Sequence, residues 1–124
     1  MKKIQLLILL LGGFASFSTA QLVRKGGLET ATIKTPGAQC EECMKRIENY
    51  LSREEGVQKV SVDYKKRITK VTYVVDRTNY ENVKTAIANA GYDADDVTAN
   101  PESYKKLPTS CKKPEDGGGH PKKN

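Results

Sequence analysis

Apolar and polar residues alternate along three segments of the chain, which predicts three β-strands. The first segment runs from Leu28 to Thr35, the second covers residues 60–64 and the third covers residues 69–75. A polar turn at residues 65–67 separates the second segment from the third, so these two are expected to form a hairpin. A further strand is predicted at residues 92–99.

Two other segments carry apolar residues at helical spacing. The first predicted helix ends at Gly56 and has on its apolar face Cys43, Ile47, Tyr50 and Leu51. The second ends at Gly91 and has on its apolar face Tyr80, Val83, Ile87 and Ala90. The resulting order β-α-β-β-α-β predicts an α+β, ferredoxin-like two-layer sandwich, with an antiparallel sheet and both helices on one face.

The two ends of the chain differ in composition from its middle. Residues 1–20 contain two lysines, a short apolar run and a small-residue end, which is typical of a cleaved signal peptide. The apolar run is too short to span a membrane, so we expect no stable membrane insertion after cleavage. Residues 21–27 are predicted to be a disordered lead-in, residues 28–99 a folded domain and residues 100–124 a flexible basic tail. The protein is therefore expected in the periplasm or outside the cell.

Length and charge limit the classes of function. The chain has 124 residues, with 21 Lys and Arg against 15 Asp and Glu. One modest domain of this size leaves little room for a deep substrate cleft, so the protein is not expected to be an enzyme. It is expected to be a monomer. The excess of basic residues is expected to be solvated, and an exported chain is not expected to bind nucleic acid.

The motif Cys40-x-x-Cys43 directly follows the first predicted strand and opens the first predicted helix. Two sulfurs at this spacing can turn toward one point, and the positive end of the helix dipole favours their anionic form. Metal sites, redox enzymes and plain disulfides all share this motif. The chain has three cysteines, an odd number, so at least one is unpaired, intermolecular or a metal ligand.

Four sequence blocks together resemble the heavy-metal-associated domain family. They are residues 36–43, 56–60 and 71–73, and residues 86–87 taken with Ala90-Gly91-Tyr92. The resemblance covers about residues 28–99. The family includes copper chaperones, the amino-terminal domains of copper-exporting ATPases and the periplasmic mercury-binding protein of mercury resistance.

The resemblance implies roles for individual residues of this chain. Cys40 and Cys43 match the two thiolate ligands of the family. Gly37 matches its turn glycine, and Tyr92 matches a loop residue that lies near the metal in bacterial copper chaperones.

Four residues of the implied metal loop depart from the family pattern. Ala38 stands where the family usually has Met, and Gln39 where it usually has Thr. The Met normally packs beneath the loop, so Ala38 implies a looser loop floor. Glu41 and Glu42 lie between the two cysteines and are expected to oppose thiolate formation.

The donor set narrows the choice of metal. Two thiolates without a further fixed ligand suit a soft ion such as Cu(I) or Hg(II). The resemblance of Tyr92 to the residue of bacterial copper chaperones makes Cu(I) the preferred ion, with Hg(II) or Zn(II) as alternatives. Zn(II) prefers four ligands, and the candidates for additional ligands are Cys111 and His120. The chain from residue 100 to residue 111 can span up to about 36 Å, enough to bring Cys111 to the metal. The preferred interpretations are nevertheless a free or intermolecular thiol for Cys111 and a solvated tail residue for His120.

Three functional hypotheses follow from these residues. The first is an exported metallochaperone or scavenger that holds Cu(I) or a similar ion through Cys40 and Cys43 and passes it to a metal-transporting ATPase or another metal-binding protein. The alternative is a thiol-disulfide oxidoreductase with Cys40 as nucleophile and Cys43 as resolving thiol. The third is an interaction module in which Cys40 and Cys43 form a small-loop disulfide.

Overall fold

The computed structural model describes residues 27–119. The predicted signal peptide, residues 21–26 of the predicted lead-in and His120 lie outside this part of the chain. The elements are β1 (Leu28–Lys34), α1 (Glu41–Leu51), β2 (Val57–Asp63), β3 (Ile68–Val74), α2 (Tyr80–Asn89) and α3 (Pro101–Lys105), followed by 3₁₀ turns at Thr109–Cys111 and Pro114–Asp116. Between residues 27 and 119, no helix is both long enough and apolar enough to cross a bilayer.

The three strands form an antiparallel sheet in the order β1-β3-β2. Val71 in the central strand pairs with Ala31 of β1 on one side and with Val60 of β2 on the other. The predicted hairpin is the β2-β3 pair, and it has an irregular register between Val57 and Lys59. The predicted antiparallel sheet is thus confirmed for its first three strands.

Both helices pack on the same face of the sheet, as predicted. The core between the two layers contains fully buried side chains from β1, α1, β3 and α2, namely Ile33, Ile47, Val71 and Ile87. The opposite face of the sheet is polar, and there the hydroxyls of Thr30 and Thr72 lie 3.0 Å apart. Alternation along the strands therefore divides an apolar face from a solvated one.

The predicted fourth strand is wrong. Within the described residues, the segment 92–99 makes only one isolated bridge, between Ala94 and Val97. Asp95 has a left-handed backbone with φ 52°, which ends extended structure. Its N–H donates to the carbonyl of Lys34 at 2.9 Å, and its carboxylate accepts from the Lys34 N–H at 2.7 Å. A turn held by an aspartate side chain therefore bonds the last residue of β1 at the edge where the fourth strand was expected.

The C-terminal segment, residues 100–119, is folded against the domain, which differs from the expected flexible tail. It contains α3 and both 3₁₀ turns, and it buries the side chains of Leu107 and Cys111. Leu107 packs against the backbone of Gly91. A Cβ at Gly91 would lie only 3.2 Å from Leu107 Cγ, so the absence of a side chain there leaves room for Leu107. Burial of these side chains in an otherwise polar segment explains why the segment does not stay in solvent.

Candidate metal centre

The loop between β1 and α1 is fixed to the core before it reaches the cysteines. The buried hydroxyls of Thr35 and Thr69 lie 2.9 Å apart. The N–H of Ala38 donates to the Thr35 carbonyl at 3.0 Å, and the Ala38 side chain is fully buried. Gly37 lies against the ring of Tyr92, and a Cβ on Gly37 would be 3.3 Å from Tyr92 Cδ1. The loop is therefore held closely from two sides, although Ala38 replaces a larger residue.

Cys40 and Cys43 lie at the N-terminus of α1. Cys40 is the N-cap residue, with an extended backbone and no side-chain cap hydrogen bond, so its sulfur is available for other contacts. Its Sγ lies 3.5 Å from Sγ of Cys43, which is on the first turn. Cys43 is fully buried, whereas Cys40 is partly exposed. The spacing thus brings both sulfurs to one point, with one of them open to solvent.

Cys111 lies at the same point. It forms a disulfide with Cys43, across a Cα–Cα distance of 5.8 Å and 68 residues of sequence. The three sulfurs of Cys40, Cys43 and Cys111 lie within 4.8 Å of one another. The preferred interpretation of Cys111 as a free or intermolecular thiol is therefore wrong. The hypothesis of a Cys40–Cys43 disulfide is contradicted as well, because Cys43 is bonded to Cys111 and Cys40 is the free thiol.

The C-terminal segment also makes polar contacts with the metal loop and with α1. Gln39 donates from Nε2 to the carbonyl of Lys112 at 2.9 Å. Ser110 donates from Oγ to Glu42 Oε1 at 2.8 Å. Two of the positions that depart from the family pattern, Gln39 and Glu42, are thus the ones that bind this segment.

An ion pair attaches the next residue of the C-terminal segment to the domain. Lys113 Nζ lies 3.2 Å from Asp93 Oδ2, and this hydrogen-bonded carboxylate raises the pKa of Lys113. The segment therefore remains in contact with the domain on both sides of Cys111. Sequence reasoning missed this docking, for which the available signal was the presence of Leu107 and Cys111 among polar residues.

Tyr92 carries a buried hydroxyl beside the site. The residue is 1 % exposed, and its hydroxyl has no hydrogen-bond partner among the described residues. Burial raises the pKa of Tyr92 well above its ordinary value, while the positive charge of Arg46 opposes the rise and the negative charges of Cys40 and Glu42 add to it. The ring that carries this hydroxyl packs against Gly37 of the loop before Cys40.

The two acidic residues between the cysteines are paired with bases one helical turn away. Glu41 lies 3.6 Å from Lys45, and Glu42 lies 3.9 Å from Arg46. Both pairs are solvent-exposed, so they contribute little to stability. Each pair places a positive charge beside one of the two glutamates.

The sequence and its relatives place the chain in a family. Residues 32–93 match the model of the heavy-metal-associated domain, and the chain belongs to that family. The mercuric transport protein periplasmic component of Acinetobacter calcoaceticus is 35 % identical over 81 residues, which are 64 % of this chain and 89 % of that protein.

Solved structures agree with the fold. Oxidized MerP from Ralstonia metallidurans matches with a TM-score of 0.52 and 32 % identity, over 55 % of this chain and 94 % of that one. A copper-binding domain from the P-type ATPase HMA7 matches with a TM-score of 0.52 and 26 % identity, over 53 % and 89 % of the two chains. The predicted ferredoxin-like class is confirmed. These relatives are named for transport and metal binding, which is the general function that the family supports.

Proposed function

We propose that this protein is an exported carrier that binds a soft metal ion between Cys40 and Cys43 and passes it to a partner. The observation that carries the proposal is the 3.5 Å separation of the two sulfurs at the start of α1. Thiolate ligands select soft ions over hard ones, so Cu(I) and Hg(II) fit this pair better than Zn(II). A relative named for mercuric transport and another named for copper binding support both ions.

Transfer to a partner requires that one ligand be accessible. Cys40 is partly exposed while Cys43 is buried, so an incoming thiolate can approach the ion from the side of Cys40. The ion would then be shared between the two proteins before Cys43 releases it. The partner proposed on this basis is a metal-transporting ATPase or another metal-binding protein with a thiolate pair of its own.

Metal binding by Cys43 requires the reduced protein. A dithiol reductant attacks the Cys43–Cys111 disulfide, takes both sulfurs to thiols and itself becomes a disulfide. Ion binding then releases the thiol protons to solvent. The form with the Cys43–Cys111 disulfide is, on this proposal, the form that does not carry metal through Cys43.

The test is a titration of the reduced protein with Cu(I) and, separately, with Hg(II), each in the presence of a competing ligand. The expected result is one ion per chain, and loss of that binding in the double variant Cys40→Ser, Cys43→Ser. Thr109→Ala, which changes an exposed residue beside Cys111, is the matched control and should bind like the wild type. Absence of stoichiometric binding, or equal binding by the double variant, would contradict the proposal.

One observation favours thiol-disulfide exchange as a second candidate function. The free Cys40 sulfur lies 3.5 Å from Cys43, which is already bonded to Cys111. Attack by the Cys40 thiolate would form a Cys40–Cys43 bond and release Cys111 as a thiolate, which takes up the proton that Cys40 lost. An insulin-reduction rate well above that of a small dithiol would support this candidate, and a rate no greater would exclude it.

A further inference from the structure

We propose that the reduced site holds its ion with three thiolates, the third being Cys111 from the C-terminal segment, and that the Cys43–Cys111 disulfide is the oxidised, metal-free form of this three-sulfur centre. This inference rests on the proposed function and deepens it. The family resemblance supplies only Cys40 and Cys43. Cys111 lies beyond residue 93, where the match to the family model ends.

The distances between the sulfurs suit a three-coordinate ion. Three sulfurs at about 2.3 Å from a central metal are about 4 Å from one another. The Cys40 and Cys43 sulfurs are 3.5 Å apart, and all three sulfurs lie within 4.8 Å of one another. Once the disulfide is reduced, small side-chain rotations are enough to bring the three sulfurs around one ion.

Contacts other than the disulfide keep Cys111 in place. Four residues before Cys111, Leu107 is buried against Gly91. One residue after Cys111, the carbonyl of Lys112 accepts the hydrogen bond from Gln39. The Lys113 ion pair with Asp93 follows directly. Reduction therefore removes one of several attachments, and the third sulfur stays at the site.

The buried hydroxyl of Tyr92 is a second, independent observation that points to a ligand. A buried donor without a partner is costly, so such a group is normally found where something accepts its hydrogen bond. The ring that carries this hydroxyl packs against Gly37, three residues before Cys40. An acceptor brought to this loop by a bound ligand would satisfy the hydroxyl.

The charge of the donor set favours a divalent soft ion. Cys43 and Cys111 are 0 % and 2 % exposed, so charge left uncancelled there is poorly solvated. A divalent ion cancels two of the three thiolate charges, whereas a monovalent ion cancels only one. With three thiolates a divalent ion leaves one negative charge uncancelled at this buried site and a monovalent ion leaves two, so the three-sulfur centre favours ions of the Hg(II) class over Cu(I).

The test compares reduced wild type, Cys111→Ser and the control Thr109→Ala, each loaded with one equivalent of Hg(II). X-ray absorption should find three sulfur neighbours in the wild type and in Thr109→Ala, and two in Cys111→Ser. Hg(II) affinity should fall in Cys111→Ser, and it should fall by a larger factor than Cu(I) affinity does. Two sulfurs in all three proteins would overturn the inference while leaving the proposed function intact. Absence of sulfur coordination in all of them would overturn both.

A measurement on the wild type alone covers the case in which Cys111→Ser does not fold. The Hg(II)-loaded protein is treated briefly with a maleimide, and its adducts are located by mass spectrometry. The expected result is protection of all three cysteines, with Cys111 labelled only after the metal is removed. A single rapid adduct on Cys111 in the loaded protein would overturn the inference.

Discussion

Replacing Tyr92 with Phe removes only a hydroxyl that is buried and has no partner among the described residues. A buried donor left without a partner costs about 1–3 kcal/mol, and its removal leaves the ring in place against Gly37. We therefore expect Tyr92→Phe to stabilise the metal-free protein by about 1 kcal/mol. In a domain of this size such a gain raises the melting temperature by about 4 °C or more.

The same substitution should change the dependence of stability on alkaline pH. The pKa of Tyr92 is raised in the fold above its ordinary value of 10.0. A raised pKa gives stability that is fully present below the unfolded value and is lost as pH rises toward the folded value. Wild type should therefore lose up to about 1.4 kcal/mol per pH unit above pH 10 from this group alone. The Phe variant should lack this contribution.

The assay is denaturant unfolding of the metal-free protein at several pH values between 7 and 11. Tyr50→Phe is the matched control, because Tyr50 is only partly buried, and its free energy of unfolding should change by no more than about 0.5 kcal/mol. Destabilisation of Tyr92→Phe by about 1 kcal/mol or more would refute the reasoning. It would show that the hydroxyl has a partner in the metal-free protein, such as a bound water.

Two further substitutions test the parts of the fold that support the site. Leu107→Ala should lower the free energy of unfolding by about 2–3 kcal/mol, because the C-terminal segment loses a buried apolar side chain. The same variant should speed alkylation of Cys40. Unchanged stability together with unchanged alkylation would contradict the docking of the C-terminal segment. Asp95→Ala should lower the free energy of unfolding by about 2 kcal/mol, measured by thermal unfolding. It removes the carboxylate that accepts from the Lys34 N–H and the Tyr80 hydroxyl, and it places Ala at a residue with a left-handed backbone. Asp95→Asn should cost less, because Asn tolerates this backbone; an equal loss in both variants would contradict the backbone part of the argument.

The strands and helices of the domain could be predicted from the sequence wherever the apolar residues recur at the period of that element. Alternation placed β1, β2 and β3, and helical spacing placed Ile47 and Ile87 in the core, where both are fully buried. The same reasoning brought Cys40 and Cys43 together, because a residue that caps a helix and one on its first turn share one end of that helix. These are local relations along one chain segment.

The fourth strand and the third cysteine could not be predicted in the same way. Residues 92–99 alternate like a strand, but the pattern does not reveal that the Asp95 side chain bonds the Lys34 backbone. The position of Cys111 depends on a contact 68 residues away, which no periodicity encodes. Long-range pairings of this kind are specified by the docking of a whole segment rather than by the pattern inside it.

The residues that depart from the family pattern become intelligible once the C-terminal segment is in place. The side-chain amide of Gln39 is long enough to donate to the Lys112 carbonyl. The usual Thr at this position has a shorter side chain that would not reach that carbonyl. Glu42 accepts from Ser110 on the other side of Cys111. Both departures therefore bind the segment that delivers the third sulfur, on either side of that sulfur. In the proposed three-sulfur centre, these contacts would keep Cys111 beside the ion, so the proposed transfer to a partner should require movement of the segment before the ion leaves.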